Sequence, residues 1–425
     1  MLKLVLKNTF YQTLAKIFTA GSTLFGTILI TRFLGAEVFG EYSIVTAFIL
    51  SFYLLSDLGI NAITVKEFSQ DENSIKKNFS SIFLFRIILG LILVGMCNFV
   101  LIFFPYSSAV KNAIHIGSVL IFLQSIYTTC LIVFQSKLEY RYVAFISVLA
   151  SLISLGILFP VVLMQKSIFY VILAVVIGYS FHPIIATLVL RKYLHINRKG
   201  INPSYWKNVF ILSFPLGIAL ILNTFMVQAD RLILSVMSDT RSVGFYNLAY
   251  KIFDFVLVIP TFFMNAMFPL LVKADGVKKF GLERSGSLKS GSERSAFDQL
   301  FKKSILILSL AAVVLTLFSF VSSRFLISSI WGEEMISSYI PFNILMAGSL
   351  FFFLSSPLTW MLVVKNRQKI LPFLYGFALV VNVILNIIFI PQYNYLASAV
   401  ITIFTEFLVL VSLVIFLRFS NKKEI

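Results

Sequence analysis

Charge is what this chain most lacks. Only 12% of its 425 residues are Asp, Glu, Lys or Arg, where a soluble domain carries about 25%. The runs Ser304–Ser323 and Tyr142–Met164 contain none at all. A water-soluble globular domain is excluded on that ground. Cysteine is scarce too: Cys97 and Cys130 both fall inside apolar runs, with no CxxC and no Cys/His spacing. A disulfide framework and a zinc site therefore have no basis, and both thiols read as buried hydrophobes. The three histidines, His115, His182 and His195, are scattered over different segments, and no HExxH, GxSxG or P-loop is present. Membrane glycosyltransferases and ligases concentrate acidic or His clusters in a sizeable extramembrane loop, and here the outer loops are short. The expectation is a protein that is not an enzyme and uses no metal or cofactor.

What the chain has in abundance is apolar length. It is 59% hydrophobic, with a mean hydropathy of +0.95, and runs of about 20 apolar residues read as membrane-spanning helices. Twelve are expected, near 9–31, 42–64, 81–104, 112–134, 142–164, 168–190, 208–228, 242–270, 304–323, 339–363, 370–390 and 396–417. Barrel strands would be about ten residues of alternating polarity, a pattern these runs do not show. The start, MLKLVLKNTFYQTLAKIFTAGST, places lysines before an apolar run as a signal peptide would. Its helix continues through GTILITRF without a cleavage site, so it is expected to be a first span. The fold class expected is all-α and polytopic.

The basic residues give an orientation, because positive loops stay in the cytoplasm. With the N-terminus inside, 28 of the 35 Lys and Arg residues fall on cytoplasmic ends and loops, and six on the other side. Both termini are expected to be cytoplasmic. The net charge of +17 then needs no nucleic acid, since basic loops face anionic lipid headgroups. A repeat is visible as well: VFGEYSIVTAF (38–48) after the first span returns as VGFYNLAYKIF (243–253) after the seventh. Six spans bring the chain back to the same side, so the halves read as parallel repeats about an axis along the membrane normal. Residues 1–195 and 208–425 would be two six-helix bundles joined by a basic cytoplasmic linker, 196–207. A Ser/Gly/charge-rich loop, 273–303, reads as a mobile cytoplasmic connector.

Several motifs in order carry a family resemblance. Asn8 precedes the first span, and R-F-L-G-x-x-x-F-G-x-Y follows it at Arg32–Tyr42. SDLGI (56–60), ADRLIL (229–234) ahead of VGFYNLAYKI, Phe268-Pro269, and NVILNIIFIPQYNYLASAVITIFTE (382–406) complete the series. In this the chain resembles Wzx-type polysaccharide-unit flippases of the multidrug/oligosaccharidyl-lipid/polysaccharide exporter superfamily, over its whole length. One departure is YNYLAS, where such proteins often have a Gly-rich turn. The resemblance implies two six-helix bundles forming a V around a central cavity. It implies a substrate, an undecaprenyl-pyrophosphate-linked oligosaccharide, moved from inner to outer leaflet of the bacterial cytoplasmic membrane by alternating access. Membrane lipids, and the polysaccharide polymerase and chain-length machinery, are the implied partners. Gly40 and Gly244 would allow tight turns at the outer side, with Tyr42 and Tyr246 anchored at headgroup level.

Charges inside spans are costly and face a cavity or a partner. Arg32, Asp57, Arg86, Arg231, Lys251 and Asp254 are the expected cavity residues, with Glu406 a candidate coupling acid. A pyrophosphate needs a wet, cation-lined path, and arginine grips phosphate with two parallel hydrogen bonds. Each residue has a plainer reading. Lys251 and Asp254, three apart on one helical face, neutralise each other. Arg86 snorkels to the headgroups, and Asp57 caps or pairs locally. Glu406 is buried protonated. Arg32 and Arg231 are interfacial anchors. Asn382 and Asn386, one turn apart, read as helix–helix glue. The rival function is a cation-coupled multidrug exporter of the same fold.

Overall fold

The structure, a computed structural model, describes residues 2–164, 167–191, 201–276, 290–365 and 367–422. His195, residues 196–200 of the expected linker, and residues 277–289 of the basic loop lie outside the described residues. Those described form α-helices joined by short turns, with no strand among them. This follows from the solvent: hydrocarbon offers backbone N–H and C=O no partner, and a helix satisfies them within its own segment.

The order is α1 (Leu2–Asp57), α2 (Ile60–Gln70), α3 (Glu72–Leu101), α4 (Ser108–Gly117), α5 (Val119–Ser136), α6 (Tyr140–Met164), α7 (Ile168–Leu190), α8 (Pro203–Met237), α9 (Thr240–Gly276), α10 (Ser290–Trp331), α11 (Tyr339–Val364), α12 (Leu371–Tyr393) and α13 (Tyr395–Lys422). The expected spans fall largely on helix, although 42–64 crosses a break at Leu58–Gly59 and 81–104 runs past the end of α3. Ten segments among the described residues are long and apolar enough to cross a membrane. The difference from twelve has two sources. The first two expected spans run together as one stretch, Tyr11–Gln70, and α8, which covers the seventh, is not among the ten.

The turn between the first two spans is a kink and falls at Gly35 (φ 83°, ψ −179°), not at Gly40. Gly40 is helical, and its lack of a side chain serves a close approach instead. A Cβ there would sit 1.9 Å from the Thr240 carbonyl oxygen, and one on Gly244 would sit 3.0 Å from that of Ala36. The two recurring glycines thus meet each other's segments. Tyr246 is likewise no headgroup anchor: it is buried, with its hydroxyl 3.1 Å from Thr402 Oγ1.

The chain divides into two compact units, Met1–Gly244 and Phe245–Ile425. In the first, α6 packs between α1 and α7, α5 against α3 and α7, and α8 along α1, α2 and α3. Gly217 permits that seat for α8, since a Cβ there would come 2.5 Å from the Leu58 carbonyl oxygen. Tyr106 and Ser235, hydroxyl to hydroxyl at 2.7 Å, tie its far end. In the second unit, α11 packs on α10 and α13, and α13 on α12.

Helix α10 shows the packing logic. Ser304, Leu308, Ala312, Ser319 and Ser323 are buried at helical spacing, while Leu306, Leu310, Val314, Leu317 and Val321 are exposed. Mostly small side chains face inward and large apolar ones outward, the reverse of a soluble helix. Lipid tails are as apolar as leucine, so close packing and hydrogen bonds drive association instead. Thr316 supplies one such bond, to the Met346 carbonyl of α11 at 2.7 Å. Prolines lie within α6 at Pro160, α7 at Pro183, α11 at Pro357 and, near its end, α12 at Pro391, and each helix continues through them. At the YNYLAS departure, Asn394 takes the positive φ (53°) that glycine would otherwise supply; asparagine is among the few residues that tolerate it.

Candidate functional site

The SDLGI stretch breaks a helix. After Asp57, Leu58 (φ 43°) and Gly59 (φ 76°) turn left-handed before α2 resumes at Ile60. Ending α1 there frees carbonyls at the negative end of its dipole, deep in the fold. Arg86, from α3, answers that. Its Nη1 donates to the Ser56 carbonyl, and its Nη2 donates to Asp57 Oδ1 at 2.8 Å and to Asn61 Oδ1 at 2.5 Å. Asp57 in turn accepts from the Asn61 backbone N–H at 3.2 Å, capping α2. The guanidinium is fully buried and Asp57 about one-third exposed. Snorkelling is therefore ruled out for Arg86, and Asp57 both caps and pairs. The Ser125 hydroxyl fixes the arginine's own carbonyl at 2.8 Å. Arg86 Nε is buried without a hydrogen-bond partner among the described residues.

Of the six expected cavity residues this cluster gathers two. Arg32 is exposed on α1, three residues before the kink. Arg231 is buried on α8, where Nη1 donates to Gln228 Oε1 at 3.2 Å and its backbone N–H donates to Asp230 Oδ1 at 2.8 Å. Lys251 is half-buried and Asp254 exposed on α9, in the second unit. Sequence reasoning missed Asn61, although its i+4 spacing from Asp57 across a Leu-Gly break was a usable signal. It also missed a second polar knot in the first unit. There Glu67 accepts from Tyr205 Oη and Asn78 Nδ2, each at 2.8 Å, and the Trp206 indole donates to Ser81 at 2.8–2.9 Å. Nothing in the local sequence pairs residues that are 138 positions apart.

The second unit holds a ladder of neutral groups between α12 and α13. Asn386 Nδ2 donates to the Asn382 carbonyl and side chain at 2.9 and 3.0 Å, and the Ser398 hydroxyl donates to Asn386 Oδ1 at 3.1 Å. Asn382 reaches Thr405 at 3.5 Å, and Thr402 donates to the Ser398 carbonyl at 2.8 Å. Both asparagines thus join the two helices. Beside them Glu406 is buried and accepts a short hydrogen bond from Ser355 of α11. Among the described residues, no three His, Cys, Asp or Glu side chains gather as metal ligands would.

Comparison with known proteins places this architecture. Over 417 residues the chain is 23% identical to the capsular polysaccharide biosynthesis protein CapF of Staphylococcus aureus, covering 96% of this chain and 98% of that one. The lipid II flippase MurJ, in an inward closed conformation, superposes with a TM-score of 0.74 at 15% identity, over 96% of this chain and 87% of MurJ. An inward-facing multidrug resistance MATE family transporter of the MOP superfamily gives 0.78 at 11% identity, over 98% and 99%. At such identities the structures establish the fold, which is that of MOP-superfamily transporters. The chain is a multi-pass membrane protein whose fold matches that of these solved transporters. The sequence profile of one family, described as polysaccharide biosynthesis protein, matches residues 5–275, and the chain belongs to that family.

Proposed function

We propose that this protein flips undecaprenyl-pyrophosphate-linked oligosaccharide units from the cytoplasmic to the outer leaflet of the bacterial cytoplasmic membrane by alternating access. The observation that carries the reading is cationic side chains buried or half-buried on helices of a polysaccharide-biosynthesis protein, Arg231 on α8 and Lys251 on α9. A charge at that depth is expensive unless it serves a polar path, and a pyrophosphate headgroup is the anion such cations would meet. Arg32, Arg231 and Lys251 are the proposed phosphate contacts, with Asp254 tuning Lys251. The proposed topology puts both termini in the cytoplasm, with two repeats joined near 196–207. The polymerase and chain-length machinery would receive the exported unit.

Deletion of the gene tests this. Carrier-linked oligosaccharide should accumulate on the cytoplasmic face of the membrane, and surface polymer should be lost. The MATE-like fold and the buried Glu406 favour a second reading, a cation-coupled drug exporter. Normal surface polymer with altered drug tolerance would establish that one and sink the first.

A further inference from the structure

Inside the first unit, α1, α6 and α7 border a half-open cavity of about 230 Å³ that no charged side chain touches among the described residues. Polar side chains share its wall with Ile30, Leu155, Leu158 and Val175. Thr19, Ser22 and Thr23 come from α1, Ser151 and Ser154 from α6, and Tyr179 and His182 from α7. We propose that this cavity is a sugar subsite, which takes one neutral pyranose ring of the lipid-linked unit. The inference rests on the flippase reading and deepens it.

Size is the first argument. Drug-sized ligands occupy sites of roughly 300–1,000 Å³, so this cavity suits a single ring, not an oligosaccharide or a multi-ring drug. Charge is the second. Among the described residues no Asp, Glu, Lys or Arg lines it, so a phosphate or an organic cation placed there would be desolvated without a counter-charge. A sugar asks for no counter-charge. It presents hydroxyls around its rim and a C–H face that is apolar.

The wall matches both surfaces. Thr19, Thr23 and Ser154 donate to carbonyls of their own helices, those of Ala15, Thr19 and Ala150, at 2.8–2.9 Å. Their protons are committed, so their lone pairs remain to accept from sugar hydroxyls. A flat plate stands beside them. The His182 ring stacks on Tyr179, with centroids 4.5 Å apart and planes 21° apart, and meets Tyr127 edge-on at 5.2 Å. Three bonds fix the plate. The Tyr179 hydroxyl makes a short one to Gln124 Oε1, Tyr127 lies 3.1 Å from Ser147 Oγ, and His182 Nδ1 lies 3.3 Å from the Tyr179 carbonyl. A rigid aromatic face costs little conformational entropy on binding, which is what stacking against a sugar ring requires.

The test uses the full-length protein in lipid nanodiscs and two probes, undecaprenyl pyrophosphate alone and the same carrier bearing one hexose. Wild-type protein should bind the hexose-bearing probe about tenfold more tightly. Each lost hydrogen bond is expected to reduce that preference by about fivefold, so Ser154→Ala should nearly erase it and leave bare-carrier affinity unchanged. Gly26→Val fills the cavity from α1 and should abolish the preference. A Cβ at Gly26 meets only Leu158 and Leu155, at 3.4 and 4.0 Å, and Ser154→Ala carries the test should the valine not fold. Equal affinity of wild-type protein for both probes would overturn the subsite and leave the flippase reading standing, as would a preference that survives Ser154→Ala. Failure to bind either carrier would instead sink the flippase reading, and the subsite with it.

Discussion

The two units bury polar groups in opposite ways. In the first, an arginine and an aspartate meet where the helix stops between Asp57 and Ile60. In the second, Asn382, Asn386, Ser398 and Thr405 join two neighbouring helices with no charge between them. The difference is the backbone. An intact helix leaves nothing unsatisfied along its length, so α12 and α13 need only side-chain hydrogen bonds to hold together. A broken one exposes carbonyls to an apolar solvent, each costing several kcal/mol. A buried cation is tolerable there because it meets that need. The first demand on Arg86 is therefore structural, ahead of any role with a phosphate.

Breaking the charged cluster should give the largest effect. Arg86→Ala and Asp57→Ala each strand a partner, and removing one member of a buried pair costs about 3–5 kcal/mol. Water reaching the one-third-exposed Asp57 eases what Arg86→Ala leaves behind, whereas Asp57→Ala leaves a fully buried cation without its carboxylate. Thermal unfolding in detergent and membrane abundance should both fall sharply for the single variants. The Arg86→Ala/Asp57→Ala double variant should lose less than the two singles together, since neither charge is then stranded. Strict additivity would show that the pair does not act as a unit. Arg86→Lys should recover only part, because one ammonium cannot span Ser56, Asp57 and Asn61 as the fork does.

Gly40→Ala comes next. Its new carbon would lie 1.9 Å from the Thr240 carbonyl oxygen, a backbone atom that cannot rotate aside. Overpacking of that kind costs about 1–3 kcal/mol. Gly244→Ala, at 3.0 Å from Ala36, should cost less. If the alanines unfold at the same temperature as wild-type protein, the close approach is not a constraint on the fold. Smaller again is Asn386→Ala in the neutral ladder. Hydrogen bonds between membrane helices average about 0.6 kcal/mol, with a maximum near 1.7. The bonds lost should sum to about 1–2 kcal/mol, well below the Arg86 effect. A loss as large as that of Arg86→Ala would erase the contrast between the units.

Helices were legible because their signal is solvent-driven: a long apolar run has one way to cross hydrocarbon. The motif SDLGI was legible as a landmark but not as a break, since Leu58 gives no warning of a positive φ. Arg86 could be read as buried or snorkelling, and only its position against Ser56 and Asn61 decides between them. Gly40 and Gly244 stood out by recurrence, yet what they are for depends on Ala36 and Thr240 lying against them. Periodicity reports which face of a helix turns inward. It is silent on which helix will be waiting there.

The smallest structural effect belongs to Glu406→Gln, and it sharpens the comparison most. Glu406 is the acid beside an otherwise neutral ladder, 6% exposed and accepting from Ser355. Glutamine has nearly the same shape and keeps an acceptor for that hydroxyl, so stability should change by less than about 0.5 kcal/mol. What it cannot do is take up and release a proton. We expect export in membrane vesicles to rise with an imposed proton gradient for wild-type protein, and to be insensitive to that gradient in Glu406→Gln, at unchanged abundance. Asn386→Ala should behave in the opposite manner, less stable but still responsive. Should Glu406→Gln respond to the gradient as wild-type protein does, the carboxyl is a packing group and the coupling lies elsewhere. A large drop in its unfolding temperature would mean instead that the group is held ionised by partners other than Ser355, and the second unit would then bury charge as the first does.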